Sequence, residues 1–193
     1  LNEADRTRYL VLMAQQSQRM QTLVNDLLTL SRLEGSPHPG GNDWVNTSAL
    51  FAQSHQEAQA LSALLAPHGH DIKFDVGGGS EIAGVQAELY SAVSNLVGNA
   101  VRYTPQAGLI KVSWCVLEDG RGEFQVVDSG PGIAAEHIPR LTERFYRIDR
   151  SRSRETGGTG LGLAIVKHVT QRHGAELRIE SQPGQGSRFS ITF

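Results

Sequence analysis

Asn95-Leu-Val-Gly-Asn-Ala-Val-Arg-Tyr-Thr-Pro105 sets two side-chain amides four residues apart. On a helix that spacing puts Asn95 and Asn99 on one face, and Asn99 shares a face with Arg102 and Tyr103. Amide oxygens are hard donors suited to Mg²⁺, which keeps several waters and takes substrate phosphates as its other ligands. Arg102 can neutralise a phosphate, and Tyr103 can lie against a base. Taken alone, the run is equally a helix face with capping asparagines before Pro105.

A second run, Asp128-Ser-Gly-Pro-Gly132, directly follows an apolar stretch. Two glycines around a proline force a sharp turn. An ionised aspartate only accepts hydrogen bonds, so Asp128 suits an exocyclic amine such as adenine N6, and the guanine carbonyl would be repelled. An Asx turn would also explain it. A third run, Gly157-Gly-Thr-Gly-Leu-Gly-Leu-Ala-Ile-Val-Lys-His168, alternates glycine at 158, 160 and 162 before an apolar helix. Such a turn offers free N–H groups and a positive dipole end to phosphate. It lacks the Gly-Lys-Ser/Thr of a Walker loop, and Leu163 stands where a dinucleotide fingerprint needs glycine. Just upstream, Glu143-Arg-Phe-Tyr-Arg-Ile-Asp-Arg150 continues to Arg152 and Arg154, giving five arginines between 144 and 154. That cluster suits a triphosphate and, flanked by glycine, a closing lid. Glu143, Asp149 and Glu155 partly offset its charge, as in a solvated charge run.

The seven histidines show no metal-ligand spacing and are read as structural or exposed. Cys115, the single cysteine, is expected to be a buried inert thiol within a strand. It excludes an intrachain disulfide framework. With 39% apolar and 20% charged residues and a net charge of -2, the 193-residue chain is not a disordered one. No apolar run approaches the ~18–20 residues of a membrane span.

These side chains need a layered scaffold. The first 34 residues lack glycine and proline and carry Met13, Met20, Leu23, Leu27 and Leu30 at bundle-seam spacing, with Gln16 the polar exception. A long helix capped by Asn2 is expected, needing a partner helix or, alternatively, packing on its own globular domain. Residues 35–44 read as a linker. Beyond it a helix capped by Asn46 runs to about Ala66, and a second covers Gln86–Arg102 with Leu89, Val93, Leu96, Val97 and Ala100 on one face. A third runs from about Leu161 to His173. Strands are expected near His70–Val76, Glu81–Val85, Leu109–Leu117, Glu123–Val127, Glu176–Ser181 and Ser187–Phe193. The fold class is α+β: a mostly antiparallel or mixed sheet with helices on one face.

In chain order, the four patches resemble the N, G1, F and G2 boxes of bacterial sensor histidine kinases, in the ATPase superfamily shared with gyrase, Hsp90 and MutL. The resemblance implies a two-layer Bergerat-type ATP-binding domain over 45–193. It makes residues 1–34, ending Leu27-Leu-Thr-Leu-Ser-Arg-Leu-Glu34, the second helix of the dimerisation and phosphotransfer domain. It implies ATP and Mg²⁺ as ligands. Asn99, helped by Asn95, would hold the metal. Arg102 would contact phosphate and Tyr103 the adenine. Asp128 would recognise N6, with Gly130 and Gly132 shaping the pocket and Ile133 lining it. Arg147 would reach the γ-phosphate with help from Arg144. Gly158, Gly160, Leu161 and Gly162 would cradle the phosphates.

Ile138-Pro-Arg-Leu-Thr-Glu-Arg-Phe-Tyr-Arg-Ile-Asp149 is most similar to phosphate-regulon sensors, which implies a PhoB-like response regulator as partner. Thr142 replaces the phenylalanine that many relatives carry. No histidine has the context of the family's phosphoacceptor, so the expected protein is a homodimer through its helical bundle whose acceptor helix is absent from this chain. The expected setting is the cytoplasmic portion of an inner-membrane-anchored protein, with no nucleic-acid partner. The competing readings are an ATP-binding module without turnover and an anti-sigma serine kinase; the Leu-Ser-Arg-Leu-Glu helix argues against the second.

Overall fold

A computed structural model describes residues 2–40, 43–77, 81–148 and 158–193. Helix α1 spans Glu3–Gly35. Asn2 caps it, its side chain accepting from Asp5 N–H at 2.7 Å. Glu3 and Asp5 in the first turn and Arg32 in the last complement the helix dipole. Then follow β1 (Trp44–Asn46), α2 (Thr47–Leu65), β2 (Asp71–Val76), β3 (Glu81–Ala83), α3 (Gln86–Tyr103), β4 (Leu109–Val116) and β5 (Gly122–Asp128). A 3-10 turn at Ile138–Arg140 precedes α4 (Gly162–Arg172), β6 (Glu176–Ser181) and β7 (Ser187–Thr192).

The sheet is mixed, with order β2-β4-β5-β7-β6; β2 runs parallel to β4, and the other pairs are antiparallel. Alternation decides which face is buried. On β4, Ile110, Val112 and Trp114 enter the core, and Lys111 and Cys115 face outward. Cys115 is therefore exposed, contrary to the buried thiol expected from its residue type. Phe124 and Val126 of β5 continue the inner layer. Phe51 of α2 stacks on Phe124 at 5.2 Å and tilts against Trp114 at 5.9 Å. Full burial of such a side chain contributes roughly 1.5–3 kcal/mol. The five apolar positions read on α3 are all buried, packing that helix between the sheet, α2 and α4.

Strand β1 was not expected. It pairs with β3 in a separate ribbon, Val45 opposite Ile82. Asn46 ends it and caps α2, accepting from Ala49 N–H at 3.1 Å.

The seam of α1 divides. Leu30 and Leu33 are buried, and the end of the helix lies on α4. Tyr9, Met13, Met20 and Leu27 are exposed. The last turns thus pack on the chain's own globular layer.

Two histidines are structural, as expected. His173 donates from Nδ1 to Val169 O at 2.8 Å and accepts Val85 N–H on Nε2 at 3.2 Å. A Cβ on Gly84 would collide with its ring. His70 donates from Nε2 to Thr104 O at 3.0 Å and accepts from Ser62 Oγ on Nδ1 at 2.8 Å, tying α2 to the end of α3.

Candidate functional site

The amide face of α3 meets the head of α4. Asn95 Nδ2 donates to Ser91 O at 2.8 Å, which leaves Oδ1 as an acceptor. That oxygen occupies the space where Gly162 would carry a Cβ. Only glycine lets the two helices approach so closely. An amide oxygen beside the N-terminal amides of a helix suits a hard cation that also takes phosphate ligands. Asn99 follows one turn later and is half-buried. Among the described residues no group of three His, Cys, Asp or Glu side chains could hold a metal ion, so a cation here would depend on these amides and on a ligand's own oxygens.

Arg102 folds back over Gly98, whose Cβ would stand 2.8 Å from its Nη1. Burial pushes the guanidinium pKa down, opposed by the fields of Tyr103 and Asp26. Tyr103 is exposed, and a Cβ on Gly158 would stand 3.6 Å from its Oη and 3.9 Å from Arg147 Nη2. Gly158 therefore lies between the end of α3 and the arginine segment. Phe145 N–H donates to Gly160 O at 2.9 Å, and both residues take left-handed φ, 62° and 76°.

Asp128 ends β5 and is buried. Its Oδ1 accepts Gly130 N–H at 2.8 Å. Burial pushes its carboxyl pKa up; hydrogen bonds from the Gly130 and Ser187 backbones oppose the shift. A Cβ on Gly130 would stand 2.6 Å from that carboxylate and 3.2 Å from Tyr103 O, so this turn adjoins α3. Gly132, at φ 69°, lies against the Gln182 carbonyl with no room for a side chain. Ile133 N–H donates to Ser181 Oγ at 2.8 Å, which anchors the turn to β6.

A sequence profile described as histidine kinase-, DNA gyrase B- and HSP90-like ATPase matches residues 84–193. The chain belongs to this ATPase family. It is 52% identical over 186 residues to the phosphate regulon sensor protein PhoR of Pseudomonas aeruginosa, covering 96% of this chain and 41% of that one. It is 39% identical to the PhoR of Haemophilus influenzae, over 93% and 41% of the two chains. It thus spans about two fifths of the length of these curated relatives. A solved structure of full-length ShkA in complex with AMPPNP aligns over all of this chain and 39% of the other, with TM-score 0.79 and 27% identity.

Within this ATPase fold, the amides, Asp128 and the glycine turn converge around the C-terminal part of α3. Arg144, expected to assist Arg147, pairs through its Nη2 with Glu34 of α1. Arg150, Arg152, Arg154 and Gly157 lie outside the described residues. Three residues were missed. Thr159 donates to Asp26 Oδ2 at 2.6 Å and accepts Leu161 N–H at 3.2 Å, and Glu34 also stands 3.6 Å from His168 Nε2. Asp26 and Glu34 flank Leu30 and Leu33 on α1, and that acidic border was the signal in the sequence.

Proposed function

We propose that this chain is the ATP-binding catalytic region of a phosphate-regulon-type sensor histidine kinase. It passes the ATP γ-phosphoryl to a histidine acceptor and thence to an aspartate of a PhoB-like response regulator. The observation that carries this reading is the contact of the Asn95 amide oxygen with Gly162, which sets a hard donor beside the N-terminus of α4. Mg²⁺, when bound, would neutralise phosphate charge; Asn99 and Asn95 would hold it.

Each side chain then has a task. Asp128 accepts from adenine N6 and repels a guanine carbonyl. Tyr103 lies against the base, and Ile133 lines its pocket. Arg102 and Arg147 hold phosphate oxygens. The backbone N–H groups of Gly158, Gly160, Leu161 and Gly162 cradle the phosphates at a helix N-terminus. Phosphoryl transfer depends mainly on such positioning and charge neutralisation. The exposed Tyr9, Met13, Met20 and Leu27 on α1 support a helical bundle with a second copy. Among the described residues no helix is long and apolar enough to cross a membrane. On this reading the chain is the cytoplasmic portion of a membrane-anchored sensor.

Calorimetric titration of wild type and Asp128→Asn with ATP and with tripolyphosphate tests the site. The variant is expected to lose about 10- to 100-fold for ATP and little for tripolyphosphate, as for one charged hydrogen bond. Equal losses mean that Asp128 does not read the base. Radiolabelled ATP with an added acceptor domain should give acid-labile phosphohistidine; ATP binding without label counts against the kinase.

A further inference from the structure

The head of α4 is served by α1. Asp26 Oδ2 takes the Thr159 hydroxyl at 2.6 Å, and the Thr159 oxygen in turn accepts Leu161 N–H at 3.2 Å. Arg102 lies close enough to feel the charge of Asp26. Eight residues further along, Glu34 of the same helix pairs with Arg144. Leu30 and Leu33, between the two carboxylates, are buried, so α1 is firmly seated here.

We propose that Asp26 is a positioning residue of the phosphate site: it acts as an internal counter-anion that holds the Thr159 hydroxyl over the Leu161 N–H, offsets Arg102, and must be displaced when a triphosphate binds. The inference rests on the ATP reading above and extends the site to a residue outside the 84–193 family match.

Carboxylates and phosphates are both acceptor-only anions that recruit hydroxyls, guanidinium groups and helix-end amides. The Thr159 proton cannot serve both. Nor can the Leu161 N–H point at Thr159 and at a phosphate. Asp26 is partly buried, so its charge depends on these few partners. Once phosphate takes them, a desolvated carboxylate faces a second anion, and both effects drive it toward solvent. Seating of α1 and occupancy of the phosphate site therefore oppose each other, and the coupling is reciprocal. If Asp26 merely supported the turn, the opposite would hold: its loss would weaken phosphate binding.

The test titrates the full chain with ATP, tripolyphosphate and adenosine. Asp26→Asn keeps the shape and an acceptor for Thr159 and removes the charge. It is expected to bind ATP and tripolyphosphate roughly tenfold tighter with adenosine unchanged, a change the size of one charge-assisted hydrogen bond. Asp26→Glu, which keeps the charge, should show no such gain. Unchanged or weaker triphosphate binding by folded Asp26→Asn overturns the proposal, as does an equal gain for adenosine. Hydrogen exchange of wild type needs no variant: the amides of Leu27–Leu33 should exchange faster with tripolyphosphate present, and unchanged protection overturns the idea. Wild type that binds neither ATP nor tripolyphosphate overturns the nucleotide reading itself; wild type that binds both, with no effect of Asp26→Asn, removes only this inference.

Discussion

Arg172 and Glu88 meet edge to edge: Nε lies 3.0 Å from Oε2, and Nη2 lies 3.0 Å from Oε1. The same guanidinium donates to the carbonyls of Leu33, Ser36 and Pro37 at 2.7–3.0 Å. One side chain in the last turn of α4 thus joins α3 to carbonyls at and just beyond the end of α1. The two side chains are only 8% and 17% exposed.

Arg172→Ala strands the Glu88 carboxylate and removes a donor from the Leu33 carbonyl. It is expected to cost about 3–5 kcal/mol in urea denaturation, the range for breaking a buried pair. Arg172→Lys keeps the charge and loses the fork, so it should recover less than half of that. A lysine variant as stable as wild type would show that the fork geometry is dispensable.

Two glycines with similar φ separate conformation from crowding. Gly184, at φ 79°, has nothing within 4 Å of a Cβ position; Gly132, at φ 69°, would drive one into the Gln182 carbonyl. Gly184→Ala should cost about 1–2 kcal/mol for the left-handed conformation alone. Gly132→Ala should cost about 3 kcal/mol or more, because backbone must move. Equal losses in chemical denaturation would mean that the Gln182 turn yields freely.

Burial raises the Asp26 pKa above the ordinary carboxylate range, against the Thr159 hydrogen bond and the field of Arg102. A folded-state value above the unfolded one means that folding favours the protonated form. Its stabilising contribution is complete below the unfolded pKa of ~3.9 and is lost as pH rises through the folded value. Asp26→Asn should therefore melt close to wild type in acid and gain on it toward neutral pH. Thermal melts across that range check the sign; a difference that shrinks as pH rises contradicts it.

Cys115 faces solvent from β4. Folded protein should react with a thiol-specific disulfide reagent without denaturant, at a rate within about tenfold of the unfolded chain, since access governs a simple thiol. Protection until unfolding would contradict the outward register of β4.

Periodicity made α2, α3 and most strands legible, and local cap chemistry marked Asn2 and Asn46. Strand β1 escaped because three residues cannot display an alternation, and its partner β3 is equally short. Cys115 was misjudged from residue type, although the inward Ile110, Val112 and Trp114 assign it to the outer face by parity. The amides, Asp128 and the glycine turn were visible because each is a contiguous motif. The contacts of Asp26 with Thr159 and of Glu34 with Arg144 join positions 133 and 110 residues apart, so local spacing shows the acidic border on α1 but not its partners. Arg172 was hidden in the same way: its meaning depends on carbonyls more than 130 positions away.

Helix α1 is anchored at one end only, and this gives it leverage. Its 33 residues extend about 50 Å at ~1.5 Å per residue. A tilt of about 10° about the Arg172 anchorage would carry the far tip through roughly 9 Å and Asp26 through only about 2 Å. Two ångströms is still enough to part a 2.6 Å hydrogen bond. A modest torque applied at Tyr9 or Met13 would thus arrive at Thr159 geared down in distance and multiplied in force.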